Sequence, residues 1–256
     1  MSRVKEALLG KKSFIGFLTA GDPCIDKTEE FIVEIARAGA AIVEVGIPFS
    51  DPIAEGPVVQ EANVRALSAP GGCTTDMVFD VVEKASKKID VPLVLLTYLN
   101  PVYKYGYERF FARCKEAGVE GVIIPDLSYE EKGELIDFAN KYDVDIISLL
   151  STNSGERIKM IAADATGYIY ILPTANNPSA NKLSGELVET VARIRKITDT
   201  PVVIEFGANT PEQIAGYSEI ADGIIIETRI VKLIEKYGAD AGSHIYDYVK
   251  KMVDSI

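Results

Sequence analysis

The sequence predicts an α/β fold: one closed (β/α)8 barrel spanning residues 1–256, with extra helices at the amino terminus and in the loops. Three observations predict it. Eight short apolar runs alternate along the chain with stretches of helical period. The runs are apolar without alternation, as strands of a parallel sheet covered on both faces must be. No linker, low-complexity segment or convincing repeat divides the 256 residues, and eight strand-helix units in a chain of this length fit a barrel. An open doubly wound sheet is the rival topology. It requires a glycine fingerprint such as GxGxxG after the first strand, where this chain reads TAGDPC.

Ser2 to Leu9 reads as a short amphipathic helix that closes one end of the fold. Ser13 to Ala20 is the first strand, turned outward by Gly21-Asp22-Pro23, and Asp26 to Ala38 is helical, with Phe31, Ile35 and Ala38 on one face. Ala41 to Gly46 is the second strand. A long connection follows, with a short helix near Glu61 to Leu67, and Thr74 or Thr75 caps a helix reaching about Lys88. Val91 to Tyr98 is a strand ended by Asn100-Pro101, and Tyr107 to Ala117 is its helix. The same alternation repeats as Val119 to Ile124 with Tyr129 to Lys141, and as Asp145 to Leu150 with a helix ending near Ala163. Gly167 to Leu172 precedes the loop PTANNPSANKLS and the helix Gly185 to Ile197. Pro201 to Phe206 precedes a helix containing Ile214, and Gly223 to Ile226 precedes helices Arg229 to Tyr237 and Gly242 to Val253.

Composition excludes several classes of function. The net charge of -11, from 38 acidic and 27 basic residues, with no concentration of Lys and Arg, is no nucleic-acid footprint. The start MSRVKEALLG lacks an apolar signal core, and no uninterrupted apolar run reaches about 18 residues, so a cytoplasmic protein without a membrane span is expected. Cys24, Cys73 and Cys114 form no CxxC site and point to a reduced compartment. The lone His244 lies in the last helix, so neither a His-based triad nor a zinc site can be assembled. The acidic spacings match no dedicated metal loop, and no metal is expected.

Active sites of such barrels sit at the carboxyl ends of the strands, which selects residues by position. Glu44 stands among Ile42, Val43 and Val45, with Asp51 and Glu55 in the loop that follows. A carboxylate buried there without a partner costs several kcal/mol or takes up a proton. Glu44 therefore suits a carboxyl of raised pKa, and Asp51 or Glu55 on the polar loop suits its ionised counterpart. Thr97, Tyr98 and Asn100 end the third strand, Asp126 the fourth, Glu205 and Phe206 the seventh and Glu227 the eighth; Tyr168 and Tyr170 point the same way in the sixth. Asp126, after a proline, is read first as a cap.

The stretches GFLTAGDP, VEVGIPFSDPIAEGPVVQEANVRAL, PLVLLTYLNPV, GVIIPDL and FGANTPEQI resemble the tryptophan synthase alpha subunit family, in order and over nearly the whole chain. The resemblance implies a (β/α)8 barrel and retro-aldol cleavage of indole-3-glycerol phosphate to indole and glyceraldehyde 3-phosphate. It also implies no cofactor of the chain's own and a pyridoxal-phosphate-dependent beta subunit as partner. It puts the catalytic carboxyl on Glu44, which acts on the glycerol hydroxyl and carries a proton toward indole C3. The second carboxylate, an aspartate in the family motif ADGP, falls on Glu55 in AEGP. Phe17, Tyr98, Asn100, Tyr168 and Phe206 fall in the substrate pocket, and Asp51 and Pro52 in the loop facing the partner.

One region departs from the family pattern. The family's phosphate grip uses glycines after strands six, seven and eight. Here the strand-six loop has no glycine before Gly185, the strand-seven turn reads Glu205-Phe206-Gly207, and the last helix is entered through Glu227-Thr228-Arg229. Glutamates beside a phosphate raise two rival expectations. One is a related enzyme for a non-phosphorylated or cationic substrate, with Glu205 and Glu227 accessible. The other is a silent partner-binding barrel, with Glu227 paired to Arg229.

Overall fold

The structure is a computed structural model that describes residues 1–172, 185–205 and 210–256. Eight strands form a closed barrel in chain order: β1 (Ser13–Thr19), β2 (Ile42–Gly46), β3 (Leu93–Leu96), β4 (Val119–Ile123), β5 (Asp145–Ser151), β6 (Thr166–Leu172), β7 (Val202–Glu205) and β8 (Gly223–Ile226). Each pairs in parallel with the next, and β8 closes on β1 through Ser13 and Gly223. Closure removes both sheet edges and rules out the doubly wound alternative.

Period-two geometry divides the side chains into two layers. Phe14, Leu18, Val43, Val45, Leu95 and Ile204 point outward under the helices, in the larger apolar cluster. Ile15, Phe17, Ile42, Val94, Leu96, Ile147, Tyr168, Tyr170, Val203 and Ile225 fill the barrel itself. Helix α1 (Arg3–Glu6), capped by the Ser2 hydroxyl, belongs to the inner layer: Val4 and Leu8 are buried there and close the amino-terminal end, as the sequence suggested. In β2, Gly46 makes room for an aromatic ring, because a Cβ at that position would lie 2.9 Å from Phe17.

The outer helices follow in order: α2 (Ile25–Arg37), α3 (Pro57–Ser68), α4 (Thr75–Ser86), α5 (Leu99–Tyr105), α6 (Tyr107–Ala117), α7 (Gly133–Lys141) and α8 (Arg157–Ala163). Then come α9 (Gly185–Ile194), α10 (Pro211–Ser218), α11 (Thr228–Tyr237) and α12 (Gly242–Val253). Thr74 caps α4 by accepting from the Met77 N–H. Among the boundaries that differ from the sequence reading, three have a local cause. Helix α3 starts at Pro57, a full turn before Glu61, because proline is suited to a first helical position. Helix α5 was hidden by Asn100-Pro101, yet Pro101 stands in its first turn, where no N–H is needed. Helix α7 begins at Gly133 and not Tyr129, because Ser128 and Glu131 bond to each other in a preceding turn. Among the described residues no helix is long and apolar enough to cross a membrane.

Helix α3 is tied to the barrel by a charged pair. Both Asp22 oxygens accept from Arg65, at 2.9 and 2.8 Å, and Asp22 is buried at the turn leaving β1. Gly21 takes φ +81° in that turn, where a Cβ would press on the Cys73 sulfur at 2.8 Å. Removing the guanidinium strands a buried carboxylate. Arg65→Ala is expected to lower unfolding free energy by about 3 kcal/mol in urea titrations, whereas Arg37→Ala, on an exposed pair, should change it by under about 1 kcal/mol.

Candidate active site

Glu44 lies in the middle of β2, in register with Phe17 of β1 and Val94 of β3. It is fully buried. The Tyr168 hydroxyl donates to Glu44 Oε1, while Oε2 is buried with no hydrogen-bond partner among the described residues. Burial pushes this carboxyl up to about 8; the Tyr168 bond opposes the shift and the charge of Glu205 adds to it. Glu44 therefore carries a proton near neutrality and presents one free oxygen.

Glu55, in the loop after β2, is held by two donors. The Tyr98 hydroxyl donates to Oε1 at 3.1 Å and Asn63 Nδ2 to Oε2 at 3.2 Å. Tyr98 is buried, receives the Ala54 N–H at 3.1 Å and stacks on Phe49 with ring centroids 5.0 Å apart. Burial pushes Glu55 up to about 7 against both hydrogen bonds, with Glu205 adding to the rise. Asn63 was absent from the sequence reading. It faces inward from α3, and its Oδ1 also accepts the Phe49 N–H at 2.9 Å. Its signal was an amide on the small-residue face Val59, Ala62, Ala66, where an unpaired polar group would be costly.

The remaining expected residues divide. Phe17 and Tyr168 are buried in the barrel beside Glu44. Asn100 is exposed in the first turn of α5, apart from the buried ring of Tyr98. Asp51 is exposed and accepts from the Ser50 hydroxyl at 2.6 Å, so its side chain is engaged within the loop, and Pro52 is partly buried next to it. Phe206 and Gly207 lie outside the described residues. Asp126 behaves as a cap, accepting the Leu99 N–H at 2.8 Å. His244 stacks on Tyr237, away from the strand ends.

At the end of β8, Glu227 is 7% exposed and accepts from the Tyr170 hydroxyl at 3.2 Å. Burial, then Glu205, Glu44 and Glu55, push it well above the carboxylate range. Glu205, at the end of β7 and partly exposed, is also raised, chiefly by burial. The Glu227–Arg229 pair of the silent-barrel reading does not form. A two-residue step along a helix rotates a side chain by about 200°; Arg229 is exposed and lies over the Tyr248 ring, 5.9 Å from its centroid. Thr228 is exposed as the first residue of α11, and Glu227 makes no side-chain cap bond to that helix. Among the described residues, no three His, Cys, Asp or Glu side chains group as metal ligands. A cleft of about 740 Å³ opens at the opposite end of the barrel, between Arg3, Lys115, Glu120 and Asp145. It is remote from the strand carboxyl ends and holds none of the four glutamates.

The family model for the tryptophan synthase alpha chain matches residues 4–254. The chain belongs to the tryptophan synthase alpha chain family. The alpha chain of Lacticaseibacillus casei is 43% identical over 253 residues, covering 98% of this chain and 94% of its own. That of Alkaliphilus metalliredigens is 39% identical over 247 residues, with 96% and 91% covered. The crystal structure of the alpha subunit from Legionella pneumophila str. Paris superposes with a TM-score of 0.90 at 33% identity, over 100% of this chain and 98% of that one. As a member of the tryptophan synthase alpha family, this barrel is a carbon–carbon lyase that cleaves indole-3-glycerol phosphate to indole and glyceraldehyde 3-phosphate.

The raised carboxyl of Glu44 has a consequence for stability. Between its unfolded value of 4.5 and about 8 in the fold, the native state holds a proton that the unfolded chain has lost. Stability therefore falls with rising pH across that window and levels off above it. Urea titrations at several pH values are expected to show this slope reduced in Glu44→Gln, which should be the more stable protein by about 2 kcal/mol above pH 8.

Proposed function

We propose that Glu44 is the acid and base of the cleavage and that Glu55 steadies the charge on the indole ring. The observation that carries this reading is the state of Glu44: one oxygen fixed by Tyr168, the other free and buried, on a carboxyl raised to about 8. The proton on Glu44 passes to indole C3, and positive charge develops at the ring nitrogen. Glu55, ionised above about 7 and held by Tyr98 and Asn63, faces that charge. Glu44, now a carboxylate, takes the proton of the hydroxyl on the carbon bonded to C3. The carbon–carbon bond breaks, its electron pair returns to the ring, and the hydroxyl carbon becomes the aldehyde. Glu44 ends with the proton count it began with.

Buried Phe17 and Tyr168 flank this carboxyl and give the indole an apolar, water-poor seat, in which misplacement of an acid by an ångström is costly. Glu55 is one methylene longer than the family's aspartate. Its two donors, one on β3's exit and one on α3, fix where the longer side chain ends. Pairing with a beta subunit follows from family membership. The exposed loop carrying Asp51, Pro52 and the 77% exposed Ile53 is the surface proposed to meet it.

Indole release from indole-3-glycerol phosphate by the purified chain tests the reading. Glu44→Gln is expected to lower kcat by about 10²-fold or more, as for loss of a general acid-base group. The kcat/KM profile should rise as Glu55 ionises near 7 and fall as Glu44 loses its proton near 8. Tyr98→Phe, which removes a bond that lowers the Glu55 value, should move the acid limb to higher pH. An unaltered rate in Glu44→Gln would remove the basis for the assignment.

A further inference from the structure

The pairing of β4 with β5 stops at Val122 and Ile146, although β5 runs on to Ser151 with only β6 at its side. From there a cleft of about 360 Å³ opens between the carboxyl half of β5, the turn after β4 and helices α7 and α8. Ser148 explains part of the room. Ile147 belongs to the inner layer and Ile146 and Leu150 to the outer one, so Ser148 points outward between two large aliphatic side chains, where it fills little space. Ile124, Leu127, Ile146 and Ile161 give the cleft an apolar lining. Glu44, Glu55, Tyr98 and Tyr168 do not border it, so it lies outside the candidate active site.

Charge at this cleft runs against the charge of the chain. The chain carries 38 acidic residues and a net charge of -11, yet among the described residues the cleft is bordered by two cations, Lys132 and Arg157, and by no carboxylate. Lys132 is only 8% exposed. A buried ammonium is costly unless it is satisfied, and its Nζ donates to the Asp164 carboxylate at 3.0 Å and to the Asp164 carbonyl at 3.4 Å. Arg157 donates from one terminal nitrogen to Glu130 at 2.7 Å. Asp164 and Glu130 are both more than half exposed and stand outside the cleft. An ammonium has three N–H groups and a guanidinium five, so each cation keeps donors that its acid does not use.

We propose that this cleft binds a small monocarboxylate with an apolar body. The carboxylate sits at Arg157 and Lys132, where a planar guanidinium can hold it through two parallel N–H bonds. The body lies over Ile124, Ile146 and Ile161. The volume is that of a small-molecule pocket, apolar in its lining with a few placed polar groups. A neutral ligand of the same shape leaves the spare donors unanswered, and a dicarboxylate brings a second charge against the apolar wall.

Calorimetric titration of the full chain with 3-phenylpropionate is expected to show one site, with neutral 3-phenylpropanol at least about tenfold weaker. Arg157→Gln should weaken the carboxylate about tenfold and leave the alcohol unchanged. Ser148→Phe, which fills the cleft from the strand side, should abolish binding of both while indole release is kept; the Arg157 variant, at a half-exposed side chain, guards against misfolding of this one. The KM for indole-3-glycerol phosphate should be the same in saturating 3-phenylpropionate. No binding, equal affinity for acid and alcohol, or an affinity untouched by both substitutions overturns the proposal. So does a competitive rise in KM, which would put the probe in the catalytic centre.

Discussion

Keeping a carboxyl inside the apolar barrel is the constraint on which this structure turns. Glu44 is surrounded by the inner layer of Phe17, Ile42, Val94 and Tyr168, where an ionised group is expensive. The fold meets that cost with a proton and one hydrogen bond, not with a cation. The arrangement is unfavourable for stability and useful for chemistry, since a carboxyl that titrates near neutrality can give and take a proton in one turnover. The β2 register places Phe17 at its side, and the absence of a side chain at Gly46 leaves room for that ring.

The frame around this centre is conventional in its physics. Parallel strands buried on both faces bring outward aliphatics under the helices and inward ones onto the axis, and Val4 and Leu8 seal the amino-terminal end. The opposite end is left for polar groups. Four carboxyls gather there, from β2, its loop, β7 and β8, and each is raised chiefly by burial. Tyrosine hydroxyls answer three of them: Tyr168 for Glu44, Tyr98 for Glu55, and Tyr170 for Glu227. A phenol can bond a carboxyl in either protonation state, whereas a lysine or arginine would hold it ionised.

Second contacts give the mouth its rigidity. Asn63 ties Glu55 to the Phe49 backbone, and Arg65, half a turn further along α3, ties the same helix to Asp22. A polar loop that would otherwise wander is thus fixed at both sides by one helix. That matters for Glu55, whose extra methylene relative to the family's aspartate must be absorbed by geometry.

The sequence by itself determined the eight strands, the closed parallel barrel, the inward burial of Glu44 and the reaction class, because each rests on local apolar period or on a long contiguous motif. It mistook α5 for a break and missed Asn63. It grouped Asn100 with the buried Tyr98 and left open whether Glu227 pairs with Arg229. Tertiary structure decided those points, along with which tyrosine serves which carboxyl. The physical reason is that period and propensity are properties of neighbours in sequence. Hydroxyl-to-carboxyl partnership between β6 and β2, or between β6 and β8, exists only once the sheet has closed and its register has set residues 124 and 57 positions apart side by side.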